Sequence, residues 1–480
     1  MRGYVKGQIT VFLSLLFTII VSLLLTVIEG ARVKAIRFQT ECVADMAINS
    51  ALAEYNRELF SQYDLLFIDT SYGMAQGRIQ NTEAHIRTYM DANFNPQEDV
   101  IVYAARDWLK LQTQEVNILR AALASDNVGD CMMAQILTYM EGKVGVDVLK
   151  HYTADWAKLE EKKLLQSNVT SERNAVESQI DSIGLPQKQI GDEVWEEVPL
   201  DNPADAVNAT RGGILSLVTE RGTLSSESVS LDNYASHRKL NKGTGLSEVN
   251  APDNDMTHEL ILGEYLLEKC GRYGAALDKG KLQYQIEYIL AGKSNDIDNL
   301  QTVVKKLLLI REASNMMYLL SDSVKMAEAE ALALSLTAVM MLPELAEPVK
   351  YSIVFAWAYA ESVNDVKILL DGGRVPIVKN SGCWHTALSN LTTYQLHLKS
   401  GESSQNGLSY QDYIRLMLLT INHNTKMLRF MDIVEMDIRQ TRGNTQFRID
   451  CCMDDLEIKA VVVSAYGYQC DITRRYGYYQ

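Results

Sequence analysis

The amino-acid sequence predicts a mainly helical α+β fold with a membrane anchor. Three observations predict it: a charge-free apolar run at residues 9–28, helical patterning over almost all of residues 258–397, and alternation of apolar and polar residues after residue 447. The composition is that of an ordered protein, since 47% of the 480 residues are hydrophobic and 22% are charged. We therefore expect a long N-terminal helix, an α+β module closed by C-terminal strands, and an inserted helical bundle.

The apolar run at residues 9–28 predicts a transmembrane helix. It holds twenty residues without a charge, and at about 1.5 Å per residue this length crosses a hydrocarbon core of about 30 Å. A cleaved secretory signal fits less well, because its apolar part is usually about 7–15 residues long. Glu29, Gly30 and Ala31 also make a poor cleavage site. The helical pattern continues beyond the span to about residue 60.

The orientation in the membrane does not follow from charge alone. Basic residues flank both ends of the span, Arg2 and Lys6 before it and Arg32, Lys34 and Arg37 after it. Long domains cross membranes largely regardless of their charge. We therefore expect a single-pass cell-membrane protein with a short cytoplasmic tail and a large C-terminal domain outside the cytoplasm.

Small hydroxyl side chains recur every four residues within the span and trace one face of the helix. This hydroxyl stripe consists of Thr10, Ser14, Thr18, Ser22 and Thr26. Such stripes let membrane helices approach closely and hydrogen-bond across the contact, whereas the alternative is that each hydroxyl bonds only to a carbonyl of its own helix. At the membrane edge, Glu29 and Arg32 lie one turn apart and either pair with each other or bind a neighbouring subunit.

The remaining pattern divides the chain into segments of different character. We expect a tail at residues 1–8, the span at 9–28, a helix extension and α+β module at 29–165, an acidic loop-rich segment at 166–258, a helical domain at 259–440, and C-terminal β-strands at 441–480. The loop-rich segment holds four of the eight prolines. It also contains a predicted strand pair at residues 214–218 and 226–231.

The helical domain contains segments that are apolar nearly all round, such as residues 307–310 and 331–342. This pattern predicts burial within a bundle. The alternating residues after 447 predict half-buried strands. We expect these strands to pair with a strand near Leu109 and to close the α+β module around the helical domain.

Composition argues against several classes of function. The formal net charge of −15 disfavours nucleic acid as a partner, because phosphate binding needs clustered Lys and Arg. The seven cysteines lack zinc-ligand spacing, so no metal is expected. They are predicted to be buried thiols, with a bridge from Cys451 or Cys452 to Cys470 as the alternative. Since no catalytic or cofactor motif is found, we expect a protein that is not an enzyme and holds no cofactor.

A rival hypothesis is a membrane-anchored extracellular enzyme or ligand-binding receptor that uses the helical domain. It predicts a deep cleft with converging polar groups near Trp357, Glu361 and Arg374. Ordinary core packing is the simpler explanation for Trp357. The two hypotheses therefore differ in whether these side chains line a cleft or lie in the core.

The first residues carry a resemblance to a known class of leader. Residues 6–12 (KGQITVF) resemble the class III prepilin leader of tight-adherence (Flp/Tad) pilus proteins, in which a basic tail and a glycine precede an apolar helix. The resemblance implies cleavage after the glycine, here Gly7, by a prepilin peptidase. Pilins of that class carry Glu at the fifth position after the cut, where this chain has Phe12, which argues against a main pilin.

More of the chain is similar to an uncharacterised family of membrane-anchored proteins from Gram-positive anaerobes that is linked to these pilus systems. The similar segments are residues 9–15 with 29–32, 54–59, 283–294, and 356–362 through 372–376. The resemblance implies a pilin-like accessory or structural component of a tight-adherence pilus or secretion apparatus. Its expected partners are the membrane and other apparatus subunits, contacted through the transmembrane helix. The family brings no known catalytic residues.

Overall fold

The computed structural model describes residues 5–74, 76–94, 109–165, 168–185, 187–191, 194–197, 200–219, 224–245, 255–278, 280–400, 404 and 407–478. The α-helices are α1 (Val5–Leu52), α2 (Arg57–Tyr63), α3 (Ile79–Phe94), α4 (Asp130–Met140), α5 (Val146–Glu161), α6 (Val169–Ile183), α7 (Pro203–Asn208), α8 (Ile214–Val218), α9 (Met256–Lys269), α10 (Gln285–Ala291), α11 (Asp296–Ser321), α12 (Ser323–Met340), α13 (Ala346–Leu370), α14 (Tyr410–Leu418) and α15 (His423–Ile438). The β-strands are β1 (Ile68–Asp69), β2 (Leu111–Leu123), β3 (Gln187–Gly191), β4 (Val194–Glu197), β5 (Cys452–Ser464) and β6 (Gln469–Gly477). The predicted mainly helical α+β class, with a long N-terminal apolar helix and antiparallel C-terminal strands, is confirmed.

The chain divides into two compact units. The sheet unit comprises Met1–Tyr139, Arg238–Asp253 and Val434–Gln480, and the helical unit comprises Met140–His237 and Asn254–Ile433. These limits differ from the predicted borders at residues 165, 258 and 440. They differ because α6, α7 and α8 pack on α13, so much of the segment that was expected to be loops belongs to the helical unit.

The sheet unit is built around a four-stranded antiparallel sheet. β5 is its central strand, and β1, β2 and β6 all pair with it. α1 and α3 pack against this sheet, and apolar side chains from helices and strands form one buried core. The expected strand near Leu109 is therefore β2, which begins at Leu111.

α1 is one continuous helix of 48 residues with two different surroundings. Its first half is bare, so that Phe17 and Ile19 are each 67% exposed. Its second half buries Ile36, Ala47 and Ile48 in the core of the sheet unit. The predicted tail at residues 1–8 lies partly outside the described residues, which begin at Val5.

The end of α1 comes earlier than predicted, at Leu52. The side chain of Asn56 accepts a hydrogen bond from the backbone N–H of Leu59 at 3.0 Å and so caps α2. Its own backbone N–H donates to the carbonyl of Phe67 at 2.9 Å. Because asparagine favours the position before a helix, the chain leaves one helix here and starts another.

α13 forms the centre of the helical unit. Most of its side chains are buried, and α6, α7, α8, α11 and α12 pack around it. β3 and β4 pair as a separate antiparallel hairpin. Almost continuous burial explains why the sequence of α13 is apolar on every side.

The predicted strand pair at residues 214–218 and 226–231 is wrong. The first segment is α8, which buries Ile214, Leu215 and Val218 on one side of a short helix. The second segment carries no strand longer than an isolated bridge at Ser228. Four apolar residues around Ser216 fit a helix and a strand equally well by periodicity, which accounts for the error.

α12 is only half-buried, although the apolar residues 331–342 predicted a buried helix. Its inner face buries Ala329, Ala333 and Thr337, and it packs on α13. On the other side Leu334 is 51% exposed and Val339 is 84% exposed. The bundle therefore covers only one of the two apolar faces of this helix.

All seven cysteines are free thiols, so the alternative of a bridge to Cys470 is wrong. Cys131, Cys270, Cys451 and Cys452 are buried, and the others are partly buried. Burial raises the pKa of Cys452 well above its usual value. The buried thiols therefore act as small apolar side chains.

Candidate functional site

The bare half of α1 is the first candidate site. Among the described helices, α1 is the one that is long and apolar enough to cross a membrane, and Gly7 lies in its first turns. Three hydroxyls of the stripe donate to carbonyls of their own helix, at 2.8 to 2.9 Å: Ser14 to Val11, Thr18 to Ser14, and Thr26 to Ser22. The stripe is exposed, and these three hydroxyls are satisfied as donors within their own helix.

The membrane-edge residues Glu29 and Arg32 form a salt bridge at 2.9 Å. Two tyrosines from the turn between β5 and β6 hold this pair. The hydroxyl of Tyr468 donates to the carboxylate of Glu29, and the guanidinium of Arg32 lies 4.4 Å from the ring centroid of Tyr466. The bond to Glu29 raises the pKa of Tyr468 above its usual value. These contacts connect α1 to the C-terminal hairpin where the bare half ends.

A cluster of buried charges is the second candidate site, and it lies inside the helical unit. We call Arg311, Glu361, Asp365 and Lys379 the charge cluster; the side chain of each is at most 1% exposed. Lys379 pairs with Glu361 and, at 2.6 Å, with Asp365. Arg311 donates to the other oxygen of Asp365 at 3.0 Å. Two positive charges meet two negative charges, so the cluster is neutral as a whole.

The charge cluster also fixes the chain that follows α13. Arg311 donates to the carbonyls of Pro376 and Ile377 at 2.8 and 3.0 Å. Glu361 accepts from the backbone N–H groups of His385 and Thr386 at 3.0 and 2.7 Å. A buried charge is tolerated only when its partners are complete, and here backbone groups supply part of them.

The electrostatics of Asp365 follow from these neighbours. Burial alone raises the pKa of this carboxyl, but the charges of Lys379 and Arg311 outweigh burial, so its pKa lies below the usual value. Tyr413 and the same anion raise the pKa of Arg311 above its usual value, although burial alone would lower it. Asp365 and Arg311 are therefore both ionised at neutral pH.

A cavity of about 130 Å³ lies beside the charge cluster. Its polar wall is formed by Asp365, Arg374, Lys379, Cys383, His385 and Ser404. Within the described part of the chain, no group of His, Cys, Asp and Glu side chains has the arrangement of a metal site. The cavity has room for a small molecule only.

The structure separates the residues of the predicted cleft. Trp357 and Glu361 are buried, and the indole of Trp357 donates to the carbonyl of Thr386 at 2.8 Å. Arg374 is exposed and borders the cavity. Of the three, only Arg374 faces open space.

Sequence reasoning missed the partners that complete both sites. Tyr466 and Tyr468 lie far along the chain from Glu29, and nothing local marks them as its partners. The sequence around Arg311 does contain a signal. A charge directly after the run of apolar residues 307–310 must be either exposed or paired. Glu361 and Asp365 gave the same signal, four residues apart on an apolar helix.

The fold and these sites define a mainly helical α+β protein with one N-terminal helix able to span a membrane. The chain belongs to DUF5702, a family of unknown function whose model matches residues 193–464. The matched region contains the whole charge cluster and ends with β5, whereas α1 lies before it. No curated protein and no solved structure matches the chain.

Proposed function

We propose that this protein is a single-pass, membrane-anchored structural or accessory component of a tight-adherence pilus or secretion apparatus. In this role the bare half of α1 lies in the membrane and packs against helices of other subunits. The sheet and helical units are on the outer side. The role is structural and needs no enzymatic step.

The continuity of α1 is the observation that carries the proposal. A helix that is apolar and bare in one half, and built into a protein core in the other, suits a subunit that is held both by a membrane and by neighbouring helices. No break or flexible joint separates the two halves. Motion or tension in the anchor would thus reach the sheet unit directly.

The membrane edge supports the same role. Glu29 and Arg32 satisfy each other, and Tyr466 and Tyr468 cover them from the hairpin. Aromatic side chains are favoured at the membrane surface, because their rings are apolar and their hydroxyls stay hydrated. The resemblance of residues 6–12 to a prepilin leader favours a pilus system over other membrane assemblies.

The test is co-purification from native membranes. In the first variant Ser14, Thr18 and Ser22 are all replaced by Leu, which fills the stripe with bulk while keeping the span apolar. A matched control changes the opposite face without changing its polarity: Phe12→Leu, Leu16→Ile and Ile20→Leu. Apparatus proteins that co-purify with the wild type are identified by mass spectrometry, together with the mature N-terminus.

We expect the stripe variant to lose most of its co-purifying pilus or secretion proteins and to impair piliation, and the control to keep both. Equal recovery from the two variants, with normal piliation, would overturn the proposal. An N-terminus at Gln8 would add that the leader is processed after Gly7.

A second candidate, a membrane-anchored receptor for a small ligand, is favoured by the cavity beside the charge cluster. Arg374 is exposed at its border, and the one described hydrogen bond of its side chain is a long contact of 3.4 Å to the carbonyl of Gly407. This role predicts that small carboxylates raise the melting temperature of the wild type but not of an Arg374→Ala variant. An absence of any shift with a panel of such anions would remove this candidate.

A further inference from the structure

α12 carries a regular apolar stripe on its exposed side. The stripe residues follow steps of three and four, and each is exposed: Val324, Ala327, Ala331, Leu334 and Ala338 lie in α12, and Met341, in the left-handed conformation, caps its C-terminal end. Met341 is 87% exposed and Val324 is 67% exposed. We call this set the α12 seam.

The spacing of the α12 seam is typical of a helix that packs against another helix. Alternating steps of three and four average 3.5 residues, the repeat that keeps an apolar line facing a partner helix. Single exposed apolar side chains are ordinary, but a contiguous line of them marks an interaction surface. The inner face of α12 is already buried on α13, so the seam is a second face, which the described residues leave exposed.

We propose that the α12 seam binds the same seam of a second copy of this chain, with the two helices antiparallel. A two-fold axis midway between Ala331 and Leu334 sets Ala331 against Leu334 of the second copy. In the same register Ala327 meets Ala338, and Val324 lies beside the C-terminal end of the second helix, which Met341 caps. Large side chains therefore meet small ones or lie at the ends, as close helix packing requires.

Charge agrees with this pairing. The acids that flank the seam are Glu328 and Glu330, and the antiparallel register puts Glu328 beside Ser335 of the second copy. Like charges do not meet across the contact. A two-fold contact of this kind is closed, so it produces dimers and not filaments.

The size of the contact indicates where it forms. α12 has 18 residues, so it is about 27 Å long and offers on the order of 400 Å² per copy, half of the roughly 800 Å² per partner in a standard interface. Such a contact is weak between molecules free in solution. Confinement to one membrane raises the effective concentration of the copies, and this step rests on the anchor of the proposed function.

The test pairs two full-length copies with different tags, expressed together and solubilised from membranes in mild detergent. One tag is captured, and the amount of the other is measured. Leu334→Glu places a charge at the centre of the seam on a side chain that is already half exposed. Leu396→Glu is the matched control, because Leu396 is 81% exposed elsewhere in the helical unit. Circular dichroism verifies that both variants are folded.

We expect Leu334→Glu to reduce capture of the second copy at least fivefold and Leu396→Glu to leave it unchanged. The double variant Ala331→Lys/Leu334→Glu should recover capture, since each Lys then faces a Glu of the other copy. The comparison is repeated in the Ser14, Thr18 and Ser22 to Leu background, so that pairing through the anchor is measured separately.

Equal capture in Leu334→Glu and Leu396→Glu would overturn the proposed dimer. If the wild type is recovered as a single copy and Leu334→Glu instead loses another co-purifying protein, the seam binds a different partner. That result would overturn the proposed dimer as well. A double variant that remains unpaired would overturn the antiparallel register.

Discussion

The hydroxyl of Tyr468 donates a hydrogen bond to the carboxylate of Glu29, which joins the last hairpin of the chain to the helix that begins it. The contact lies where α1 passes from bare to buried. It fixes the position along α1 at which the bare half ends and the sheet unit begins. Removing it should loosen this junction and leave the rest of the fold intact.

We therefore predict that Tyr468→Phe speeds amide hydrogen exchange severalfold around residues 29–33 of α1. The ring remains in place, so only the hydrogen bond is lost. Exchange around residues 43–48, which are built into the core, should not change. Tyr351→Phe, on a partly exposed tyrosine of α13, serves as the control, and equal exchange in both variants would show that the contact has no mechanical role.

The charge cluster predicts a large loss of stability when one partner is removed. Lys379→Met leaves Glu361 and Asp365 without their shared cation in a dry interior. We expect the free energy of unfolding to fall by about 3–5 kcal/mol, measured by chemical denaturation in detergent. Lys305→Met changes an exposed lysine of α11 and should have little effect.

Glu287 predicts a dependence of stability on pH. It is fully buried, and burial raises its pKa to about 7, although bonds from Tyr410 and from the N–H of Tyr273 lower it. The folded protein therefore holds this proton more tightly than the unfolded chain, whose carboxyl releases it near pH 4.5. Stability should consequently fall as the pH rises from about 4.5 to about 7.

The variant Glu287→Gln tests this effect. Glutamine keeps an oxygen that can accept both bonds but carries no charge. At pH 7.5 it should be more stable than the wild type by up to about 3 kcal/mol, from a shift of roughly 2.5 pKa units, and the gain should vanish near pH 4.5. Glu344→Gln, at an exposed site, should show no such trend. A pH-independent gain would contradict the assignment.

The position of Gly243 in the sheet unit has no space for a Cβ. A Cβ at this position would lie 2.3 Å from the carbonyl oxygen of Ala121 and 2.3 Å from Oδ2 of Asp126. The other carboxylate oxygen, Oδ1 of Asp126, accepts the N–H of Gly243 at 2.9 Å. Gly243→Ala should lower the free energy of unfolding by roughly 1–3 kcal/mol. Gly212→Ala, where a Cβ meets nothing within 4 Å, should be neutral within error in the same assay.

Local sequence patterns were sufficient for the long apolar helix and for the fold class. The charge-free run at residues 9–28 predicted a long apolar helix, since fifteen of its twenty residues are apolar and none is charged. Alternation near the C-terminus predicted β5 because its residues alternate between the two faces of the sheet. Both patterns depend only on residues that are close together in the sequence.

Features that depend on distant partners could not be predicted. Arg311, Asp365 and Lys379 are brought together only by the packing of α11, α13 and the chain after it. The break after Leu52 depends on Asn56, whose backbone pairs with Phe67 instead of continuing the helix. For α12, periodicity showed an apolar helix but gave no information on which faces the bundle would cover.

The continuity of α1 also sets a rotational phase between its bare half and the protein core. Three pairs of residues along it are separated by eighteen positions, about five full turns: Thr18 with Ile36, Ser22 with Thr40, and Thr26 with Ala44. The second member of each pair is buried, so the hydroxyl stripe points to the same side as the face that carries the sheet. Inserting one residue between them would turn the stripe by about 100° and direct it away from that side.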